Sequence, residues 1–136
     1  GVLLIDLDRF KEVNDSCGHA TGDAVLKEVA YEMRKELRAF DLAYRLGGEE
    51  FLVVLPGADS GQAERLAERL REILAASTFS GDQQITMSFG ISASARGERF
   101  DYQRVFGEAD MALFEAKRSG RDRVCMADEA PEPSYA

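Results

Sequence analysis

The chain predicts an α+β fold, a mixed central sheet flanked by helices in the order β-α-α-β-β-α-β-α-β. Three observations predict it. Short apolar or alternating runs read as strands, and longer stretches repeat their apolar residues at helical spacing. Two strand-like runs, Leu42 to Leu46 and Phe51 to Leu55, are parted only by Gly47-Gly48-Glu49-Glu50, a hairpin signal. The chain has 136 residues, 45% of them hydrophobic and 31% charged, which suits one domain with a real core.

Val2 to Leu7 is a continuous apolar run closed by acids, as in a strand covered on both faces. Asp6 and Asp8 are two apart, so both point to one side if the strand continues. Alternatively, Asp8 caps a short helix from Arg9 to about Cys17, which Gly18 stops. A second helix runs from about Gly22 to Arg38, with Leu26, Val29, Ala30, Met33 and Leu37 in one stripe. The hairpin follows. A tight Gly-Gly turn needs positive φ at its centre, which puts Glu49 and Glu50 at the tip. Pro56-Gly57 ends its second strand.

A third helix spans roughly Ser60 to Ala76, and Ser80-Gly81-Asp82 is a loop. Ile85, Met87, Phe89, Ile91 and Ala93 then alternate with small polar residues, giving a strand with one greasy and one small polar face. Arg96 to Asp101 is a polar loop. The fourth helix covers about Tyr102 to Arg118, Gly120 stops it, and Arg123 to Met126 is a last strand. Residues 1–127 are thus expected to form the domain, with 128–136 a frayed tail.

The bulk numbers exclude several classes. A net charge of −8 argues against nucleic-acid binding, which needs a basic face. No run approaches the ~18 apolar residues of a membrane span, so no membrane contact is expected. Cys17 and Cys125 lack ligand-like spacing and read as thiols of a reducing compartment, the cytoplasm. There is no Gly-x-x-x-x-Gly-Lys-Ser/Thr loop, and one histidine cannot build a His-rich metal site.

The candidate chemistry sits at strand ends and helix starts. Asp6 and Glu49, with the Leu7 carbonyl, could hold a hard divalent cation, which takes oxygen ligands and shares them with substrate phosphates. Otherwise Asp6 merely ends a strand and Glu49 is a solvated turn acid. Lys11 in a first helical turn opposes the helix dipole, which makes more sense beside an anionic ligand. Asn14 and Asp23 can meet the donors and acceptors of a guanine edge, or be a turn former and a helix-start acid. His19 reads as a loop-stabilising group or a neighbour of that site. Lys117 and Arg121 suit a helix C-terminus, or could swing to a triphosphate.

Four separated motifs, in order, carry a resemblance over almost the whole chain. They are Asp6-Leu7-Asp8-Arg9-Phe10-Lys11-Glu12-Val13-Asn14-Asp15, then Gly18-His19 with Gly22-Asp23, then Arg45-Leu46-Gly47-Gly48-Glu49-Glu50-Phe51, then Ala116-Lys117-Arg118-Ser119-Gly120-Arg121-Asp122. Together they resemble the diguanylate cyclases, the GGDEF-domain family. The resemblance implies a fold similar to the class III nucleotidyl cyclase core and the polymerase palm. It implies condensation of two GTP into cyclic di-GMP with release of two pyrophosphates. It implies that Asp6, the Leu7 carbonyl and Glu49 hold Mg²⁺ (or Mn²⁺), with Glu49 also the proton acceptor and Lys11 stabilising the transition state. Asn14, His19 and Asp23 would serve the guanine, and Gly48, Lys117 and Arg121 the phosphates.

The resemblance also implies product inhibition by cyclic di-GMP at an Arg-x-x-Asp site, Arg38 with Asp41, joined by Arg69. An ordinary ion pair at a helix end is the other reading of Arg38 and Asp41. Turnover would need a homodimer, since each copy holds one GTP, and an upstream sensor or receiver domain would control it. The family's opening helix is absent here, because the chain starts at the first strand. An inactive cyclase-like receptor for GTP or cyclic di-GMP is the alternative function.

Overall fold

The computed structural model describes residues 1–95 and 97–127; Arg96 and the expected tail, 128–136, lie outside them. The elements follow the expected order. They are β1 (Val2–Leu7), α1 (Phe10–Cys17), α2 (His19–Glu36), β2 (Leu42–Arg45), β3 (Glu50–Val54), α3 (Ser60–Ala76), β4 (Met87–Ser92), α4 (Tyr102–Arg118) and β5 (Val124–Met126). The sheet order is β2-β3-β1-β4-β5, antiparallel except between β4 and β5.

β1 is buried along its whole length, as its unbroken apolar run requires of the central strand. Leu3, Ile5 and Leu7 face a core built with Phe10, Val25, Val29, Met33, Leu70 and Leu74, so α1, α2 and α3 cover that side. Val2 and Leu4, with Leu52 of β3, face Val105, Ala109 and Leu113 of α4 on the other. Each such side chain contributes about 1.5–3 kcal/mol on burial, so the layers hold β1 firmly from both sides.

The small polar face of β4 is not solvated. A Cβ added at Gly90 would stand 2.1 Å from the Ala109 carbonyl oxygen and 2.4 Å from the Leu113 nitrogen, so only glycine admits α4 here. Beside it, Ser92 donates to Glu108 Oε2 of α4 at 2.8 Å.

Helix boundaries show where local and tertiary forces part. α3 and α4 have the expected bounds, each opened by an aspartate: Asp59 forms a full capping box with Gln62, and Asp101 accepts from the Arg104 N–H. α2 begins at His19 rather than Gly22, because Gly18, at φ 88°, makes the reversal. Gly22 instead lies inside α2 where α1 crosses it; an added Cβ would come within 1.8 Å of Asn14 Oδ1. α2 ends at Glu36, two residues before the expected end, with Leu37 in extended geometry. No helix among the described residues is long and apolar enough to cross a membrane.

Candidate active site

β1 and the β2–β3 hairpin finish at the same end of the sheet. Asp6 pairs in register with Glu50, and the Leu7 N–H donates to the Glu49 carbonyl at 3.1 Å. That bond makes Asp6, Leu7 and Glu49 neighbours, although Leu7 and Glu49 are 42 positions apart in the chain.

The hairpin differs from the tight turn expected. Four residues, 46–49, part β2 from β3, Leu46 among them donating to the Glu50 carbonyl at 2.9 Å, and neither Gly47 nor Gly48 has a left-handed φ. Four residues reverse the chain without the mirror-image turn that two would need. The glycines serve differently: nothing lies within 4 Å of where a Cβ would stand at either, so bare backbone faces open space. Arg45 braces this loop, donating to the carbonyls of Gly47 at 3.0 Å and Gly48 at 2.9 Å. Sequence reasoning missed that brace, although the arginine stands directly before the motif's Leu-Gly-Gly.

The two acids are electrostatically unsettled. Burial pushes the Asp6 carboxyl above its usual range, against the pull of Lys117, whose ammonium donates to Asp6 Oδ2. Burial also pushes Glu49 up, and the Asp6 charge pushes it further, with Lys117 opposing and Glu50 adding. Arg121 is close enough to draw Asp6 downward as well. Lys117 thus lies on Asp6 itself, and the Arg121 charge reaches the same carboxyl.

This set suits a hard divalent ion. Among the described residues, no three His, Cys, Asp or Glu side chains gather to hold an ion by themselves. Two carboxylates and a carbonyl leave coordination positions for water and phosphate, which is how Mg²⁺ usually binds. The cation already seated on Asp6 shows that this carboxylate is placed to take positive charge.

Asp8 does not cap α1. Arg9 occupies the N-cap position at φ 55°, and α1 begins without a side-chain cap. Asp8 accepts instead from Ser88 Oγ at 2.6 Å, Thr86 Oγ1 at 2.7 Å and the Asp122 N–H at 2.9 Å. It points to the Asp6 side, as the two-residue spacing requires, since Ser88 is Asp6's register partner. The uncapped helix start, carrying exposed Lys11, keeps the anion-attracting character of a free first turn.

The guanine candidates lie on the α1–α2 crossing. Asn14 is half-buried against Gly22, the residue before exposed Asp23, and exposed His19 opens α2 one turn earlier. Gly22, read from the sequence only as a helix start and a motif residue, is what allows this approach: any side chain there would push Asn14 away from Asp23's turn.

The Arg-x-x-Asp residues gather at the far end of the same hairpin. Arg38 grips Asp41 with Nε–Oδ2 at 3.1 Å and a second nitrogen on Oδ1 at 2.8 Å, and its guanidinium lies 4.5 Å over the Phe40 ring. Arg69 pairs with Glu36 at 3.0 Å. Arg38, Asp41 and Arg69 line one pocket of about 200 Å³, joined by Arg65, one turn before Arg69 on α3 and not singled out from sequence.

Comparison with known proteins agrees with this architecture. A family model described as diguanylate cyclase, GGDEF domain, matches residues 1–123. Diguanylate cyclase DgcP of Pseudomonas aeruginosa is 46% identical over 129 residues, covering 93% of this chain and 19% of that protein. Diguanylate cyclase DosC of Escherichia coli is 40% identical over 125 residues, covering 90% of this chain and 27% of that protein. The chain thus spans less than a third of either relative's length. Among solved structures, the active GGEEF domain of a diguanylate cyclase from Vibrio cholerae has a TM-score of 0.86 at 35% identity, covering 93% of this chain and 81% of that one. The GGDEF domain of DgcB from Caulobacter crescentus, in complex with c-di-GMP, scores 0.85 at 32% identity, with 94% and 77% covered.

Proposed function

The chain belongs to the diguanylate cyclase GGDEF-domain family, and from that premise we propose that it condenses two GTP into cyclic di-GMP and two pyrophosphates. The supporting observation is the backbone bond from Leu7 to Glu49, which sets Asp6 and Glu49 side by side at the mouth of the sheet. In our reading Asp6, the Leu7 carbonyl and Glu49 hold Mg²⁺ or Mn²⁺. When bound, the ion lowers the pKa of the attacking hydroxyl and neutralises charge at phosphorus.

The remaining chemistry belongs to the chain. The 3′-hydroxyl of one GTP attacks the α-phosphorus of the other; the new O–P bond forms as the bond to pyrophosphate breaks. Glu49 accepts the hydroxyl proton, a role that its raised pKa favours. Lys11 and the uncapped start of α1 meet the charge growing on the leaving phosphates. Gly48 lets phosphate approach bare backbone. Lys117 and Arg121 pair with the triphosphate once Asp6 is engaged elsewhere. Asp23 accepts from the guanine N1–H and N2–H₂ edge while Asn14 meets its neighbouring atoms, with His19 beside them.

Each chain supplies one such half-site, so two chains facing one another complete the reaction. Arg38, Asp41 and Arg69 form the inhibitory site for cyclic di-GMP, since arginine forks bind phosphate and stack on guanine. Residues 1–127 are the catalytic part of a longer cytoplasmic protein, governed by an upstream sensor or receiver domain. Incubating the full-length dimer with GTP and Mg²⁺ yields cyclic di-GMP and two pyrophosphates per product, read by chromatography. GTP bound but never converted would replace the enzyme with a receptor.

A further inference from the structure

Three consecutive residues after α4 carry positive φ: Gly120 at 122°, Arg121 at 65° and Asp122 at 45°. Glycine adopts such angles freely, but arginine and aspartate do so against steric strain. Strained backbone persists only where its surroundings over-determine it.

Four fastenings do so here. The Arg121 N–H donates to the Ala116 carbonyl at 2.9 Å, and the Arg121 carbonyl accepts from Arg123 Nε at 3.0 Å. The Asp122 N–H donates to Asp8 Oδ2 at 2.9 Å. Asp122 Oδ1 accepts from an Arg71 guanidinium nitrogen at 3.1 Å. The last two reach across the fold: Asp8 follows β1, and Arg71 belongs to α3. Both clamping groups are themselves fixed, Asp8 by Ser88 and Thr86, Arg71 by Glu68 at 3.1 Å. The segment they grip carries Arg121, whose charge reaches Asp6.

We propose that Asp8 and Arg71 are positioning residues that clamp Asp122 and so hold Arg121 in its left-handed conformation on the Asp6 side of the site. Neither touches substrate; each acts through the backbone of Asp122. The inference rests on the proposed function, in which Arg121 holds GTP phosphate.

The test uses the full-length protein. Arg71→Met keeps the apolar stem but loses the fork; it raises the KM for GTP about fivefold or more while kcat changes less than about twofold. Asp8→Ala behaves alike, whereas Asp8→Asn stays near wild type, because its amide oxygen still accepts the Asp122 N–H. The double variant Arg71→Met with Arg121→Ala is no weaker for GTP than Arg121→Ala alone, since the clamp acts only through Arg121. Losses that multiply, or an unchanged KM in Arg71→Met, overturn the proposal. If the wild-type protein makes no cyclic di-GMP, the proposed function falls, and the clamp is judged by amide hydrogen exchange at 120–122. Faster exchange in Arg71→Met then supports it, and unchanged exchange overturns it.

Discussion

The two ends of the β2–β3 hairpin use the same kinds of residue to opposite effect. At the Arg38 end, a buried acid meets a planar fork; burial pushes Asp41 up, but the Arg38 side-chain and backbone bonds outweigh it and hold the carboxyl below its usual range. At the Glu49 end, burial and a neighbouring acid push Glu49 up, and Asp6 stays raised despite Lys117. One end is a settled ion pair that shapes a pocket. The other is an unsettled pair of acids, stable only because β1 and β3 hold it there. Charges matched within the fold serve structure; charges left under-matched are available to a ligand.

The sharpest way to break this comparison is at the unsettled end. Glu49→Gln lowers cyclic di-GMP formation at least about a hundredfold while the circular dichroism spectrum stays native. Chelating divalent metal does the same to turnover yet leaves cyclic di-GMP binding at Arg38 intact, as equilibrium dialysis would read. Near-normal product from Glu49→Gln would undo the assignment.

At the settled end, Arg38→Ala raises the product concentration needed for half-inhibition about tenfold or more, since it removes a bidentate cation. An unchanged inhibition curve would leave Arg38 and Asp41 as a helix-end ion pair and nothing else.

Stability against pH separates the ends by sign. Glu49 binds its proton more readily folded than unfolded, so its contribution is present below the unfolded value of 4.5 and is lost as pH rises through its raised folded pKa. Asp41 is the reverse: its contribution is present above the unfolded value of 3.8 and disappears as pH falls through its lowered folded pKa. Asp41→Asn therefore costs about 1 kcal/mol at pH 7 and little in strong acid. Glu49→Gln is neutral or stabilising at pH 7 relative to wild type. Urea melts across pH 3–8 give both curves, and parallel curves would erase the contrast.

The smallest effect expected is at Phe40. Removing the ring under Arg38 costs the pair about 0.5–1 kcal/mol of cation–π attraction, so Phe40→Ala weakens cyclic di-GMP binding about two- to fivefold.

Much of this was legible in the sequence. Helical spacing and capping chemistry are local, so α3 and α4 have the bounds their residues announce. The motif residues on β1, on the hairpin and after α4 were likewise readable one by one, and so was the Arg38–Asp41 pair, because three residues span it. The reading failed where one side chain answered to a distant partner. Asp8 was legible as sharing Asp6's side or as a cap; it takes Asp6's side, but its partners on β4 and at Asp122 lie beyond local spacing, and Gly22 looked like a helix start and proved to be a crossing point.

By itself, then, the sequence determined the order of elements and the chemistry available, since periodicity and residue type act over a few residues of chain. Only the tertiary structure decided that Lys117 rests on Asp6 from 111 residues away, that four residues rather than two close the hairpin, and that Gly90 lies under α4. Those outcomes depend on sheet register and on how closely two backbones approach, quantities that exist only once distant segments have packed.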